Sequence, residues 1–205
     1  MANLTKTIKS TLQEQRETLL DNSVVDQAGQ IRWGSLLIAL AAPFTAALIG
    51  NLATGRFRSG WYRNLKKPSW NPPSWLFGPV WTVLYALMGI ASWLVWREGE
   101  PTGWLRFVTP WRHPQDKEVK GALRLYGIHL GFNALWSVLF FGRHRIGLAL
   151  AEVTVLWALI LSTLVRFSRI RPLAGLLLVP YQLWVTFATI LNFRIWQLNR
   201  DKSAR

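Results

Sequence analysis

Long apolar blocks alternate with short basic connections along most of the chain, and the blocks have the length of membrane spans. A helix needs roughly 20 mostly apolar residues to cross the hydrocarbon core of a bilayer. Five segments meet that requirement, at about 33–55, 75–96, 122–141, 146–167 and 172–196. The first, WGSLLIALAAPFTAALIGNLATG, contains no ionisable group, and the second, WLFGPVWTVLYALMGIASWLVW, is free of charge. Only Gly142-Arg143-His144-Arg145 separates the third from the fourth, which allows nothing except an antiparallel helical hairpin. Pro43, Pro79 and Pro180 fall inside the blocks, where intramembrane helices tolerate proline better than soluble ones do. A soluble bundle would need a polar face on each helix, and the first, second and fifth blocks offer none. The pattern predicts an all-α integral membrane bundle of five transmembrane helices over residues 33–199. A polar N-terminal tail (1–32) and a short basic C-terminal tail (200–205) flank it.

The N-terminal 32 residues carry four basic and four acidic side chains and no apolar stretch, unlike a signal peptide, and their acids argue against a transit peptide. Leu4, Ile8 and Leu12 allow a short surface helix there, and a mobile tail is the other reading.

Composition sharpens this picture. The chain of 205 residues is 51% hydrophobic and 17% charged, with a net charge of +14. Such a charge on an ordinary domain would point to nucleic acid, but here it sits in the connections between apolar blocks, so no nucleic-acid partner is expected. Lys and Arg divide 13 to 11 between the two membrane faces, too even for the positive-inside rule to set the orientation. Binding to lipid headgroups accounts for the charge. A bacterial cell membrane is the favoured location, with an organelle membrane as the alternative. The absence of cysteine excludes disulfides, thiol catalysis and thiolate metal sites.

The thirteen tryptophans carry more information. Tryptophan favours the membrane interface because its ring is apolar and its N–H needs a polar partner. Trp33, Trp75, Trp93, Trp96 and Trp196 sit at predicted helix ends, and Trp61, Trp70, Trp104 and Trp111 in the adjoining loops, as an interfacial belt requires. Trp81, Trp136, Trp157 and Trp184 lie inside spans, where an indole needs an acceptor, lipid-facing packing or a flat ligand. Trp81 lies six residues past Trp75, about 9 Å deeper along the axis. The first loop, Trp61 to Trp75, mixes aromatic rings and cations with Pro68, Pro72 and Pro73. The prolines restrict its backbone, so it reads as a stiff lid at one membrane face. Rings and cations on such a loop suit a flat anionic ligand.

These residues resemble a known family. Trp61-Tyr62, Lys67-Pro68-Ser69-Trp70, Pro72-Pro73, Gly78-Pro79-Val80-Trp81, Leu84-Tyr85 and Met88-Gly89 are similar to the motifs of the translocator proteins, or tryptophan-rich sensory proteins (TspO/MBR). Asn133, Trp136 and Phe140-Phe141-Gly142 continue the match in the third span, and Pro180-Tyr181, Trp184, Phe187-Ala188 and Leu191-Asn192 in the fifth. The resemblance covers about residues 34–199. It implies a five-helix bundle, usually dimeric, with a pocket beneath the first loop that takes protoporphyrin IX or haem as a ligand rather than a permanently bound cofactor. It also implies ligand contacts from Pro72, Pro73, Phe77, Trp81, Asn133, Trp136, Trp184, Phe187, Ala188 and Leu191. Some bacterial members are reported to degrade porphyrin in light with two pocket tryptophans, which by motif are Trp81 and Trp184. Animal members also bind sterol, but their sterol motif fails here: Phe193 replaces its Tyr, and Arg194 follows without a spacer. Asn51 stands where animal members have a small residue, and Leu148 where they often have Trp.

A few polar residues inside spans complete the inventory. Glu152 is the one acid within a block, and an intramembrane carboxylate marks either a site or a pair, here with Arg143, Arg145 or His129. His129, Asn133 and Trp136 share a face of the third helix. Haem ligation by His129 is the sharp reading, and helix–helix hydrogen bonding the plainer one. Gly127-x-x-x-Gly131 is a small-residue motif for packing either two protomers or two helices of one bundle. No hydrolytic triad, phosphate loop, dinucleotide fingerprint or metal-ligand cluster occurs. Three functions follow: a membrane receptor or scavenger of tetrapyrroles in stress response or porphyrin regulation, a light-dependent porphyrin-degrading enzyme, or a porphyrin or sterol transporter.

Overall fold

Each apolar block is a helix in the computed structural model, which describes residues 33–54, 60–99 and 114–200. Ser35–Glu100 and Trp111–Arg205 form one compact unit. The five long helices are α1 (Trp33–Thr54), α2 (Ser74–Glu98), α3 (Pro114–Ser137), α4 (Ile146–Ile170) and α5 (Pro172–Asn199). One further turn of helix, Trp61–Asn64, lies in the first loop, and α3 runs directly into a π-helical turn at Val138–Gly142. No strand occurs among the described residues. The N-terminal tail, Trp104, Trp111 and residues 201–205 fall outside the described residues.

Four helices have the length and apolarity of membrane spans: Ser74–Glu98, Lys117–Gly142, Ile146–Ile170 and Pro172–Asn199. In α1 the apolar helix Gly34–Gly50 is shorter, but the whole element runs 22 residues without an ionisable group, about 33 Å of helix. The boundaries move in one place. The third helix begins at Pro114 rather than near residue 122, because Pro114 suits a first helical position and the polar PQDKEVKG stretch extends the helix beyond its apolar part. Pro43, Pro79 and Pro180 all lie inside their helices.

The core is mostly apolar, but large apolar side chains also cover the outside and several polar residues lie within. Leu37, Ile38, Leu176 and Leu183 are more than 60% exposed, while Ser92, His129, Asn133, Glu152, Thr163, Gln182 and Asn192 are buried. A bilayer solvates leucine, so leucines occur on the outside as well as in the core. Polar groups gain most by meeting one another inside the bundle. His129 meets Thr163 on α4 (Nδ1 to Oγ1, 3.1 Å), and Trp157 Nε1 donates to Thr186 Oγ1 on α5 at 2.7 Å. Small residues set the closest approaches. A Cβ on Gly89 would come within 2.9 Å of the Leu40 Cα, which fixes where α1 crosses α2. At the α4–α5 corner Arg171 pairs with Glu98, tying α5 to the end of α2.

Candidate functional site

The first loop is folded down onto the bundle by residues distant in sequence. Asn199, at the end of α5, accepts from the Lys66 backbone N–H through Oδ1 (3.1 Å) and donates from Nδ2 to the Lys66 carbonyl (2.9 Å). This pair acts as an extra rung of backbone pairing, made by a side chain. Within the loop, the Tyr62 hydroxyl donates to Asn71 Oδ1 at 3.2 Å, and the Asn71 N–H closes a turn onto the Pro68 carbonyl at 3.0 Å. The Lys67 ammonium lies 4.5 Å over the Tyr62 ring and donates to the Arg63 carbonyl. Trp61 and Tyr62 pack edge-on against Phe140 of the π-helical turn, at 5.7 and 6.2 Å. A π turn widens the helix by one residue and is often found at functional sites. Here it presents Phe140 and Phe141 to the loop.

Beneath the loop a ladder of rings joins α2 to α5. Phe77 and Trp81 are one turn apart on α2, while Tyr181, Trp184 and Phe187 recur every three residues on α5, so the two rows face each other. Trp70 meets Phe187 at 5.8 Å, Phe187 meets Trp184 at 5.6 Å, and Trp184 meets Phe77 at 5.9 Å. Deeper in, Trp81 stacks on Tyr85 at 5.2 Å and meets Tyr181 edge-on at 6.1 Å. Asn133 of α3 closes this end: its Oδ1 accepts from Tyr85 at 3.1 Å and its Nδ2 donates to Tyr181 at 2.9 Å.

The structure therefore groups most of the expected ligand residues, but not all in one contact set. Phe77, Trp81, Trp184 and Phe187 belong to the ladder, and Asn133 sits at its floor. Trp81 and Trp184 are not in direct ring contact: Trp184 meets Phe77, and Trp81 meets Tyr181. Trp136 stacks on Phe140 at 5.1 Å and packs with the cluster that holds Phe187 and Leu191. Its buried Nε1 has no hydrogen-bond partner among the described residues. Pro72 is half-buried in the loop, Pro73 is exposed just before α2, and Ala188 is half-buried on α5.

Three readings change. Trp93 is buried and its Nε1 donates to Ser35 Oγ at 3.1 Å, so it joins α1 to α2 instead of marking the membrane edge. Trp157 spends its N–H on Thr186 and is a helix–helix contact. Glu152 is buried, yet neither carboxylate oxygen meets Arg143, Arg145, His129 or any other hydrogen-bond partner among the described residues. Gln182 and Asn192 on α5 are likewise buried with unpaired amide atoms. Tyr85, Tyr181 and Asn199 had not been singled out as site residues. Tyrosine inside a span, like tryptophan there, needs an acceptor, and that rule would have found the first two.

The chain matches the TspO/MBR family over residues 39–197, from within α1 to near the end of α5. The chain belongs to the TspO/MBR family. It is 39% identical over 165 residues to the tryptophan-rich protein TspO of Chlorobaculum tepidum, covering 80% of this chain and 96% of that one. To the tryptophan-rich sensory protein of Cereibacter sphaeroides it is 39% identical over 170 residues, covering 83% and 94%. To the human translocator protein it is 38% identical over 165 residues, covering 78% and 89%. The region shared with TspO/MBR relatives contains the loop, the ring ladder and Asn133, while the loop's anchor Asn199 lies just beyond it. As a TspO/MBR member with helices of spanning length, this is an integral, multi-pass membrane protein with a sensory or translocator role.

Proposed function

We propose that this protein is a membrane receptor and scavenger of tetrapyrroles, taking protoporphyrin IX or haem between the first loop and the α2–α5 ring ladder. The observation that carries this reading is the ladder itself, in which Trp70, Phe187, Trp184 and Phe77 form a continuous aromatic wall from loop to interior. A macrocycle is flat, apolar over its faces and anionic at its carboxylates. Aromatic rings match its faces, and Lys66 and Lys67 on the lid offer cations to its edge. The ring residues hold the macrocycle, the loop excludes water, and Asn133 keeps Tyr85 and Tyr181 in position below Trp81. In a bacterium the cell membrane is its place, and stress response or regulation of porphyrin metabolism its role.

The test is quenching of tryptophan fluorescence by protoporphyrin IX in detergent. Saturable quenching at roughly micromolar affinity, about −8 kcal/mol, is expected. A quench that rises linearly without saturation would sink the reading.

Two features support further parts of the proposal. A Cβ on Gly127 or Gly131 would meet nothing within 4 Å, and both glycines are exposed, so the α3 motif is not used for packing within the bundle. That open stripe suits a second protomer, giving a homodimer through α3. The stacking of Trp81 on Tyr85 favours, as a second activity, light-dependent porphyrin degradation with molecular oxygen as oxidant. Loss of the porphyrin Soret band under illumination measures it. An unchanged product pattern in Trp81→Phe and Trp184→Phe would remove both residues from that chemistry.

A further inference from the structure

A cavity of about 840 Å³ lies away from the ring ladder, between the first loop, the α3–α4 turn and the end of α5. Arg143 and Arg145 stand at it on either side of His144, whose backbone takes the left-handed conformation (φ 57°) that reverses the chain so tightly. Neither arginine side chain has a hydrogen-bond or ion-pair partner among the described residues. No carboxylate lines the cavity among the described residues. Both arginines are exposed, so their guanidinium groups are open to an anion, and guanidinium binds phosphate oxygens through paired N–H donors.

The backbone adds to the same field. Helix α4 starts here with no side-chain cap, and its first internal bond is Ala149 N–H to the Arg145 carbonyl at 2.9 Å. The N–H groups of Ile146, Gly147 and Leu148 precede that bond, and all three residues line the cavity. The positive end of the helix dipole thus coincides with the two arginines.

The walls identify the source of the anion. Trp61 and Trp196 line the cavity, and Leu148, 50% exposed, carries its apolar wall onto the outer surface of α4. The spans α3 and α5 end at this level and α4 begins there, so the cavity is at a membrane face. A cationic rim above an exposed apolar wall, flanked by tryptophan, is the complement of an amphiphile. We propose that this cavity seats the phosphate of an anionic membrane lipid against Arg143 and Arg145, with its acyl chains running past Leu148. The site is separate from the porphyrin reading and does not depend on it.

Native mass spectrometry of the detergent-solubilised full chain, titrated with phosphatidylglycerol or with phosphatidylcholine of the same acyl chains, tests this. One phosphatidylglycerol should be retained in preference to phosphatidylcholine. The paired variant Arg143→Gln/Arg145→Gln should weaken that binding about ten- to thirtyfold. Arg143→Lys/Arg145→Lys should keep most of it, showing that the fold survives substitution. Arg166→Gln/Arg169→Gln removes the same charge at the far end of α4 and should change it less than threefold. Equal affinity for the two lipids, or equal losses in the two glutamine pairs, would overturn the proposal. Displacement of the lipid by 10 mM inorganic phosphate would make the occupant a free phosphate and overturn it as well.

Discussion

Asn133 is the residue on which the inner end of the site depends. It is buried, and its two amide atoms satisfy Tyr85 and Tyr181 from two other helices. Replacing it by leucine leaves two buried hydroxyls without a partner, each costing about 1–3 kcal/mol. Asn133→Leu should therefore lower the melting temperature in detergent more than Tyr85→Phe or Tyr181→Phe, and should weaken porphyrin binding. A variant as stable as the parent would show that the network holds nothing. Tryptophans separate in the same way. Trp157→Phe removes only the bond to Thr186, worth about 0.6 kcal/mol, and should leave porphyrin quenching saturable at an unchanged affinity. Trp184→Phe breaks the ladder between Phe77 and Phe187 and should weaken binding at least several-fold. Sequence placed Trp81, Trp136, Trp157 and Trp184 inside spans, and the family motifs singled out Trp81 and Trp184 among them. It could not distinguish Trp93, which lies at a helix end yet is buried, because burial there depends on Ser35 of α1, 58 positions away.

Among the elements, the loop and two helix contacts carry separable predictions. The loop's prolines foretold restraint, but its anchor, Asn199, is 133 residues further along the chain and no local pattern points to it. Asn199→Ala should release Lys66, seen as faster amide exchange at that position and faster porphyrin dissociation. An unaltered exchange rate would mean that ring packing alone holds the loop. The glycines differ by what they face. Gly89 abuts the Leu40 backbone, so Gly89→Leu should force α1 from α2 and destabilise the monomer by about 1–3 kcal/mol or more. Gly127→Leu/Gly131→Leu meets open space within the protomer and should leave its melting unchanged while shifting light-scattering mass from dimer to monomer. A dimer that persists would place the interface elsewhere. Spans were legible because apolar length is a local property. The early start of α3 was not, since its first turns are polar, nor was the π turn, whose bonds (Arg143 N–H to the Val138 carbonyl, 2.8 Å) leave no compositional trace.

For the whole molecule, the sequence carries a net charge of +14, and among the described residues the bundle buries several polar side chains while no Lys or Arg is buried. The even split of those cations is a property of the sum. The local arrangement is uneven, because the turn Arg143–Arg145 concentrates two of them at one cavity beside a helix N-terminus. The family and its membrane architecture follow from motifs spread over 39–197, and the site from rings that meet only when α2 and α5 pack. The measurement that bears most directly on the central claim is a structure of the full chain with protoporphyrin IX bound in a lipid nanodisc. The macrocycle should lie beneath the first loop, with Trp81 and Trp184 within van der Waals distance of its faces and a carboxylate near Lys66 or Lys67. A macrocycle found on the outer surface, or at the Arg143–Arg145 rim with the ring ladder unchanged, would contradict the account.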